Sequence, residues 1–571
     1  MKKISFFALA LAAGLMMGCS DEVGNDVNPG GTGSATVGEG FMSVAINLPS
    51  TTGGSRASVD GFDDGLATEY AVNDGQLIIF GGNSDADATY QASYNLDVTD
   101  FQEDADVQIS KTKTVTVSTQ DMTGPNFFAV VLLNANDQKL SLTKGKTTFT
   151  NFEGQVLTPA SEATLRTKGF LMINSPLSTV SGGASKPENV TIMKYPSFNA
   201  TKIKNSEAEA EADPAAEIYV ERIHAKVTLA KGQNMTSPNK EKLGEMSIIG
   251  WTLDNTNKST YLMRNVKASD DWWAYKSTKT GTEYRFIEDD PVAAGLYRTY
   301  WCTDPNYSDW KNTYFNNATT ETATYSDKFG PANPQYCLEN TFNTDNQREQ
   351  STTSVLVKAQ FNNGQDFYIK NNDKSTIYTA EDIENDVKTM WQSYLETIKD
   401  EWFTTGTFSG ENIDVTLSTT AGAVTAATIT LTAPQDIAWV PGKNLAGLQT
   451  EATNYLTTIN KNLKAELYKG GVAYYRLLIK HFGDEDTPWS QADRDDEDYY
   501  PDVAGVTGEN QWLGRYGMVR NNWYDLTVTG ARELGSSTVP EVTNKPDDSE
   551  GYLAVTINIL SWAKRTQSVI L

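Results

Sequence analysis

The sequence predicts a mainly β protein of two β-sandwich domains with small helical insertions, and three observations predict it. Short apolar segments follow one another with Gly, Asp and Asn clusters between them, the punctuation of strands and turns. Long helices do not alternate with those strands, which argues against a parallel α/β sheet. Hydrophobic residues make up 39% and aromatic residues 10% of the 571-residue chain, enough for more than one core.

The chain opens on Lys2 and Lys3, then an apolar run from Ile4 to Met17. That run is too short for a stable bilayer anchor and reads as an export signal. Gly18-Cys19 closes it. A small residue before a Cys here resembles a bacterial lipobox, although Met16 stands where Leu is usual and Leu15 one place early. A Cys in that setting is acylated and becomes the mature N-terminus; ordinary cleavage with Cys19 incidental is the plainer alternative. No other stretch is apolar enough to cross a membrane, so a lipid would be the only attachment. Residues 1–18 are expected to be the signal and 19–56 a propeptide.

Residues 20–40, rich in Asp, Gly, Asn and Thr, read as a flexible tether. A strand follows at 41–49. The small-residue loop Ser50-Thr-Thr-Gly-Gly-Ser-Arg56-Ala-Ser holds one basic residue, and a loop of this composition is a good protease substrate. A first domain at 57–236 contains strands at 76–80, 107–110, 114–118, 126–133, 217–222 and 225–229. Glu207–Ala216 reads as a surface loop or short helix. A second domain at 237–534 contains strands at 247–253, 352–358, 427–431, 471–479 and 523–528. Two helices look inserted in it. Thr379 can cap one with Ile383, Val387, Trp391, Tyr394, Leu395, Ile398 and Trp402 at helical spacing. The other, Ala452–Tyr468, places Tyr455, Ile459, Leu463 and Leu467 on one face. Residues 535–571 are expected to be a linker with a strand hanging at its end.

That last strand nearly repeats the first. In Phe41–Pro49 and Tyr552–Leu560, Met42 matches Leu553, Val44 matches Val555, Ile46 matches Ile557, Leu48 matches Ile559, and Asn47 matches Asn558. Both alternate apolar with small or polar residues, the period of a half-buried strand. Two strands with one apolar ladder can fill the same slot, and a chain with one such slot leaves the second copy for a neighbouring molecule. Chance likeness between amphipathic strands is the bland reading; the positions at either end, with Arg56 between, weigh against it.

Chemistry is otherwise scarce. A net charge of −26 argues against nucleic-acid binding. Two histidines, His224 and His481, leave little room for a His-based metal site or a Ser-His-Asp triad. Lys144-Gly-Lys-Thr147 lacks the first glycine of a phosphate loop, with Leu140 in its place. The acidic stretches Asp484–Asp486 and Asp493–Asp498 fit no calcium loop spacing. No cofactor, metal or catalytic residue is expected. Cys302 and Cys337 could bridge in an exported protein or stay as two buried thiols. Trp272-Trp273, Tyr300-Trp301 and Trp310 could form a glycan-stacking platform or serve as core.

Several segments, in order, resemble the type V fimbrial subunits of Gram-negative anaerobes, and among these the shaft subunits of Mfa-type minor fimbriae. They are Gly54-Ser-Arg-Ala57, Val220-Glu-Arg222 with Ala225-Lys-Val227, Trp301-Cys-Thr-Asp-Pro-Asn-Tyr307, Tyr336-Cys-Leu-Glu-Asn340, Tyr516–Asn522 with Tyr524, and Leu560-Ser-Trp562. The resemblance spans the chain and is patchy in its middle. It implies two transthyretin-like Greek-key sandwiches, a precursor lipidated on Cys19 at the outer membrane, and a trypsin-like protease cutting between Arg56 and Ala57. It further implies loss of strand 41–49 and filling of its groove by strand 552–560 of another subunit in a head-to-tail surface filament serving adhesion or biofilm formation. Tip and anchor accessory subunits would be partners. An accessory role of that kind, or a glycan-binding lipoprotein, is the alternative.

Overall fold

The computed structural model describes residues 36–37, 40–48, 66–96, 112–119, 122–135, 140–158, 160–182, 190–267, 273, 286–306, 315–316, 324–343, 346, 348–420, 422–482, 513–542 and 553–561. Cys19, Arg56, Ala57, the strand expected at 107–110, Trp272, Trp310 and the acidic stretches at 484–498 lie outside them.

The first domain runs through β1 (Gly40–Asn47), α1 (Ala67–Tyr70), β2 (Gly75–Gly82), β3 (Thr89–Asn95), β4 (Thr112–Thr119), β5 (Asn126–Leu133), β6 (Met172–Asn174), α2 (Glu207–Ala212) and β7 (Ala216–Arg222). Leu77-Ile-Ile-Phe80 and Phe127–Leu133 are apolar at every position, the pattern of strands buried on both faces. They lie inside an antiparallel sheet ordered β3-β2-β5-β6-β7. Leu77, Ile79, Val131 and Leu133 join Met42, Val44 and Ile46 of β1 in one core. Ile78, Phe80, Val130 and Leu132 point the other way, onto Phe149 and Phe152. β7 changes partners along its length: Val220–Arg222 pairs with β6, whereas Ala216–Tyr219 pairs with β1.

The second domain starts with β8 (His224–Thr236), β9 (Ser247–Asp254), β10 (Gln335–Leu338) and β11 (Ser354–Gln360). An insertion follows, with β12 (Phe367–Lys370), β13 (Asp373–Tyr378), α3 (Ala380–Trp402), β14 (Ile413–Thr420), β15 (Ala423–Leu431), α4 (Leu445–Asn462) and β16 (Ala465–Tyr468). β17 (Val472–Leu478), β18 (Asn522–Ala531) and β19 (Leu553–Ser561) end the chain. The sheet β10-β8-β18-β19 and the sheet β9-β11-β17 share one core, in which Val227, Leu229, Leu526 and Val528 meet Trp251, Val357, Ala359 and Tyr475. The fold class is therefore mainly β with few helices, as the sequence predicts.

The structure corrects two expectations and sharpens two others. The domain border lies at Ile223 rather than after residue 236, because β8 pairs with β10 and β18 and not with the first domain's sheet. No Gly, Pro or Asn lies between Ala216 and Lys231, so the sequence gives no sign of the change of sheet at Ile223. The two helices belong to one inserted unit: β11 and β17 are antiparallel neighbours with Gln360 opposite Val472, and residues 361–471 bulge from that hairpin as a five-stranded sheet under two helices. Trp391, Ile383, Leu448 and Ile459 give it a core of its own. The second helix starts and stops earlier than its spacing suggests. Asn444 caps it by accepting from the Gly447 N–H, and Ala465–Tyr468 pairs with β12 as a strand. Leu463 still packs into the inserted unit's core, which is why its spacing mimics a helix face. The helix capped by Thr379 forms as expected, with the Asp382 carboxylate in turn accepting from the Thr379 N–H. Finally, of the two readings of the aromatic segment, core and glycan platform, the described residues follow the core one: Trp273, Tyr300 and Trp301 are buried, and the Trp301 indole N–H donates to the Phe342 carbonyl at 2.7 Å.

Candidate functional site: the slot of the first strand

β1 is an inner strand held along both edges. On one side it pairs antiparallel with β4 over its whole length, Gly40 opposite Thr119 and Asn47 opposite Thr112. On the other it pairs parallel with β7, Val44 opposite Ala216 and Asn47 opposite Tyr219. Before β7 begins, the edge is taken by the segment leading into it. The Phe41 N–H donates to Lys204 at 2.8 Å, the Lys204 N–H returns at 2.7 Å, and the Ala215 N–H reaches the Ser43 carbonyl at 2.7 Å. Alternation sorts the side chains: Met42, Val44 and Ile46 are fully buried in the first domain's core, and Leu48 is half-buried against it. Ser43 and Ala45 are buried on the opposite face, where the Ser43 hydroxyl donates to the Ala210 carbonyl of α2 at 2.5 Å. At roughly 1.5–3 kcal/mol per buried side chain, the apolar ladder contributes about 6–12 kcal/mol of gross burial.

The second copy of the ladder does not hang at the end of a linker. β19 pairs antiparallel with β18, with Leu553 opposite Ala531, Val555 opposite Val528, Ile557 opposite Leu526 and Ile559 opposite Tyr524. Among the described residues it is the last strand of its sheet, bonded along one edge where β1 is bonded along two. The chain thus offers the ladder a second resting place that its repeat with β1 does not reveal.

Cys302 and Cys337 are both buried free thiols, in the clusters of Trp301 and Trp251 respectively. Burial pushes the Cys337 thiol up to about 12 and raises that of Cys302 as well. His224 and His481 are buried too, His481 within 2.8 Å of the Tyr524 hydroxyl.

Sequence reading missed a set of buried ion pairs at the seam between the domains. Glu69, on α1 just after the Arg56 loop, is fully buried; its Oε2 lies 2.9 Å from Lys226 Nζ of β8. The Tyr336 hydroxyl donates to Glu69 Oε1 at 2.5 Å, and Arg222 Nε donates to the Glu69 carbonyl at 2.8 Å. Arg264 grips Glu221 through two nitrogens, at 2.9 and 2.7 Å, and Arg520 Nε donates to Glu339 at 3.0 Å. Single charges scattered between apolar residues carry no periodic signal, so nothing in the sequence announces this network. The seam bolts the chain from Leu66 onward to both domains, while β1 is tied to it covalently through residues 48–65 and otherwise by its hydrogen bonds to β7. Glu69→Ala leaves the Lys226 ammonium buried without its carboxylate and is expected to cost about 3–5 kcal/mol of stability. Urea denaturation compared with Glu69→Gln checks this, the amide recovering part of the loss.

Residues 466–568, from β16 through β19, match the C-terminal part of the fimbrillin family, described as major fimbrial subunit protein type IV. No curated protein matches the sequence. Similar solved structures include a candidate cell adhesion protein from Parabacteroides distasonis, at 11% identity and a TM-score of 0.36 over 93% of this chain and 99% of that one. A fimbrilin from Porphyromonas gingivalis W83 is 13% identical, with a TM-score of 0.35 over 92% of this chain and 98% of that one. The tip fimbrial protein Mfa3 from Porphyromonas gingivalis is 11% identical, with a TM-score of 0.30 over 92% of this chain and 100% of that one. Similarity at this level passes neither role nor partner from those proteins to this one; the family match of residues 466–568 is what ties the chain's C-terminal part to fimbrial subunits.

Proposed function

We propose that this chain is a structural shaft subunit of a cell-surface fimbria that polymerises by strand exchange. The precursor is exported and lipidated on Cys19, and β1 keeps its own groove filled. A trypsin-like protease cuts after Arg56, so that β1 is held only by non-covalent contacts and departs. The strand 552–560 of another copy then enters between β4 and β7. The observation that carries this reading is the match between two strands: the one seated in the groove and the one at the chain's end present the same apolar ladder in the same order.

Physical argument supports the exchange. An emptied groove exposes an apolar trough and two rows of unpaired backbone groups, a template for an added strand. The tail bonds along one edge on β18, whereas the groove offers two, so moving from its own domain to a neighbour's groove gains a ladder. Head-to-tail contacts of this kind do not close on themselves and propagate as a filament. The fimbrillin match of residues 466–568, which include the whole of β19, is consistent with it. The pairing of β19 with its own β18 favours a second reading, an accessory tip or anchor subunit whose tail stays at home.

Sequencing the N-terminus of protein sheared from the cell surface separates them. Ala57 is expected for the shaft subunit; an acylated Cys19 would overturn cleavage and leave an anchored accessory protein. As a further check, a Thr527→Cys and Thr556→Cys pair, opposite each other in the ladder, is expected to lock the tail at home when oxidised. Polymer measured by sedimentation should vanish on oxidation and return on reduction.

A further inference from the structure

The groove is not an open trough. Residues 199–215 arch over β1 as a strap that supplies the backbone partners of Phe41 and Ser43 and carries α2 across the strand's second face. The two ends of the strap are pinned to each other, Asp213 pairing with Lys202 and, at 2.9 Å, with Lys204. Two contacts of the strap, and a third on β7 just beyond it, restrict what can lie in the slot. A Cβ on Gly40 would meet Ile203 Cγ2 at 2.7 Å and the Lys204 carbonyl at 2.8 Å, distances that force a backbone to move. Ser43, fully buried, lies against Ala210. Asn47 Nδ2 donates to Glu217 Oε1 at 3.1 Å, and the Tyr219 hydroxyl holds the same oxygen at 2.7 Å.

The register that superposes the two apolar ladders also superposes these three positions. Gly551 falls on Gly40, Ala554 on Ser43 and Asn558 on Asn47. An apolar ladder alone requires none of these identities. We infer that the strap, with Glu217 of β7 just beyond it, is a specificity filter for the incoming strand of a second copy, admitting glycine under Ile203, a small residue under α2 and an asparagine at Glu217. This inference rests on the strand-exchange reading above and adds a second layer of recognition to it: the apolar ladder supplies burial, and the close contacts of the strap, with Ile203 beside Gly40 on the ladder's face and α2 over Ser43 on the other, reject amphipathic strands that merely match the ladder.

The test uses the full-length subunit, cleaved at Arg56 and carrying Ile557→Asp in its own tail so that it stays monomeric. It is titrated with synthetic peptides of residues 550–561. The unaltered peptide is expected to bind. Gly551→Val and Ala554→Leu, which leave all four ladder residues intact, should each weaken binding roughly ten- to a hundredfold through overpacking under the strap. Ala554→Ser, the residue at the matching position of β1, should bind as well as the unaltered peptide. Equal binding by the unaltered, Gly551→Val and Ala554→Leu peptides would overturn the filter while leaving strand exchange standing. No binding by the unaltered peptide would overturn both.

Discussion

Arg56→Ala is expected to abolish fibre assembly while leaving a folded precursor that keeps β1 in its own groove. The argument is one of competition within a single molecule. β1 is covalently tied to the domain it completes, so it fills its groove at a high effective concentration and an external strand cannot displace it. Only a cut between β1 and the seam-bound segment that begins at Leu66 converts the strand into a ligand that can leave for good. Without Arg56 the loop offers a trypsin-like enzyme no basic residue between Ser50 and Ser58. Electron microscopy of cell surfaces and the mass of the surface protein read the result; filaments assembled from Arg56→Ala subunits would refute the cleavage switch.

Ile557→Asp is the second large effect. Ile557 matches Ile46, which is fully buried at the centre of the β1 ladder. Aspartate there loses the roughly 1.5–3 kcal/mol of isoleucine burial and sets a carboxylate in an apolar trough for at least a few kcal/mol more. Together that is roughly 4 kcal/mol or more, a weakening of about a thousandfold or greater, which stops a filament. The tail of this variant is expected to come off β18, since Ile557 is paired with Leu526, while Val227, Leu229, Trp251, Val357 and Tyr475 on β8, β9, β11 and β17 keep the core of that domain together. Sedimentation after cleavage, with circular dichroism as the folding control, measures both halves of the expectation. Wild-type polymer from this variant would remove the tail from the mechanism.

Much of the architecture was legible from period alone. Asn126–Leu133 is a strand over the span its unbroken apolar run suggests, and Ala380–Trp402 is a helix that begins at Thr379 and buries Ile383, Val387 and Trp391. The inner residues of β1 were legible for the same reason: Met42, Val44 and Ile46 recur every second position and all face one core. Where the reading went astray, spacing was ambiguous or silent. Leu463 continues the spacing of α4 yet lies beyond its end. Trp301 and Tyr300 could be read as a sugar platform or as core, because nothing local distinguishes a buried aromatic from an exposed one; both are buried. The seam of Glu69, Lys226 and Tyr336 joins residues far apart in the chain and has no pattern at all.

The sequence by itself determined the mainly β class, the faces of its strands, and the pairing of one apolar ladder at each end of the chain. A strand's period is written in its own side chains, so these needed no partner to be read. The tertiary structure alone decided that β1 is bonded on both edges, that the tail rests on β18, that the domains divide at Ile223, and that a strap closes over the groove. Those depend on which backbone edge lies beside which, and backbone hydrogen bonds are the same for every residue, so the choice among edges is made by the packing of distant segments rather than by local pattern.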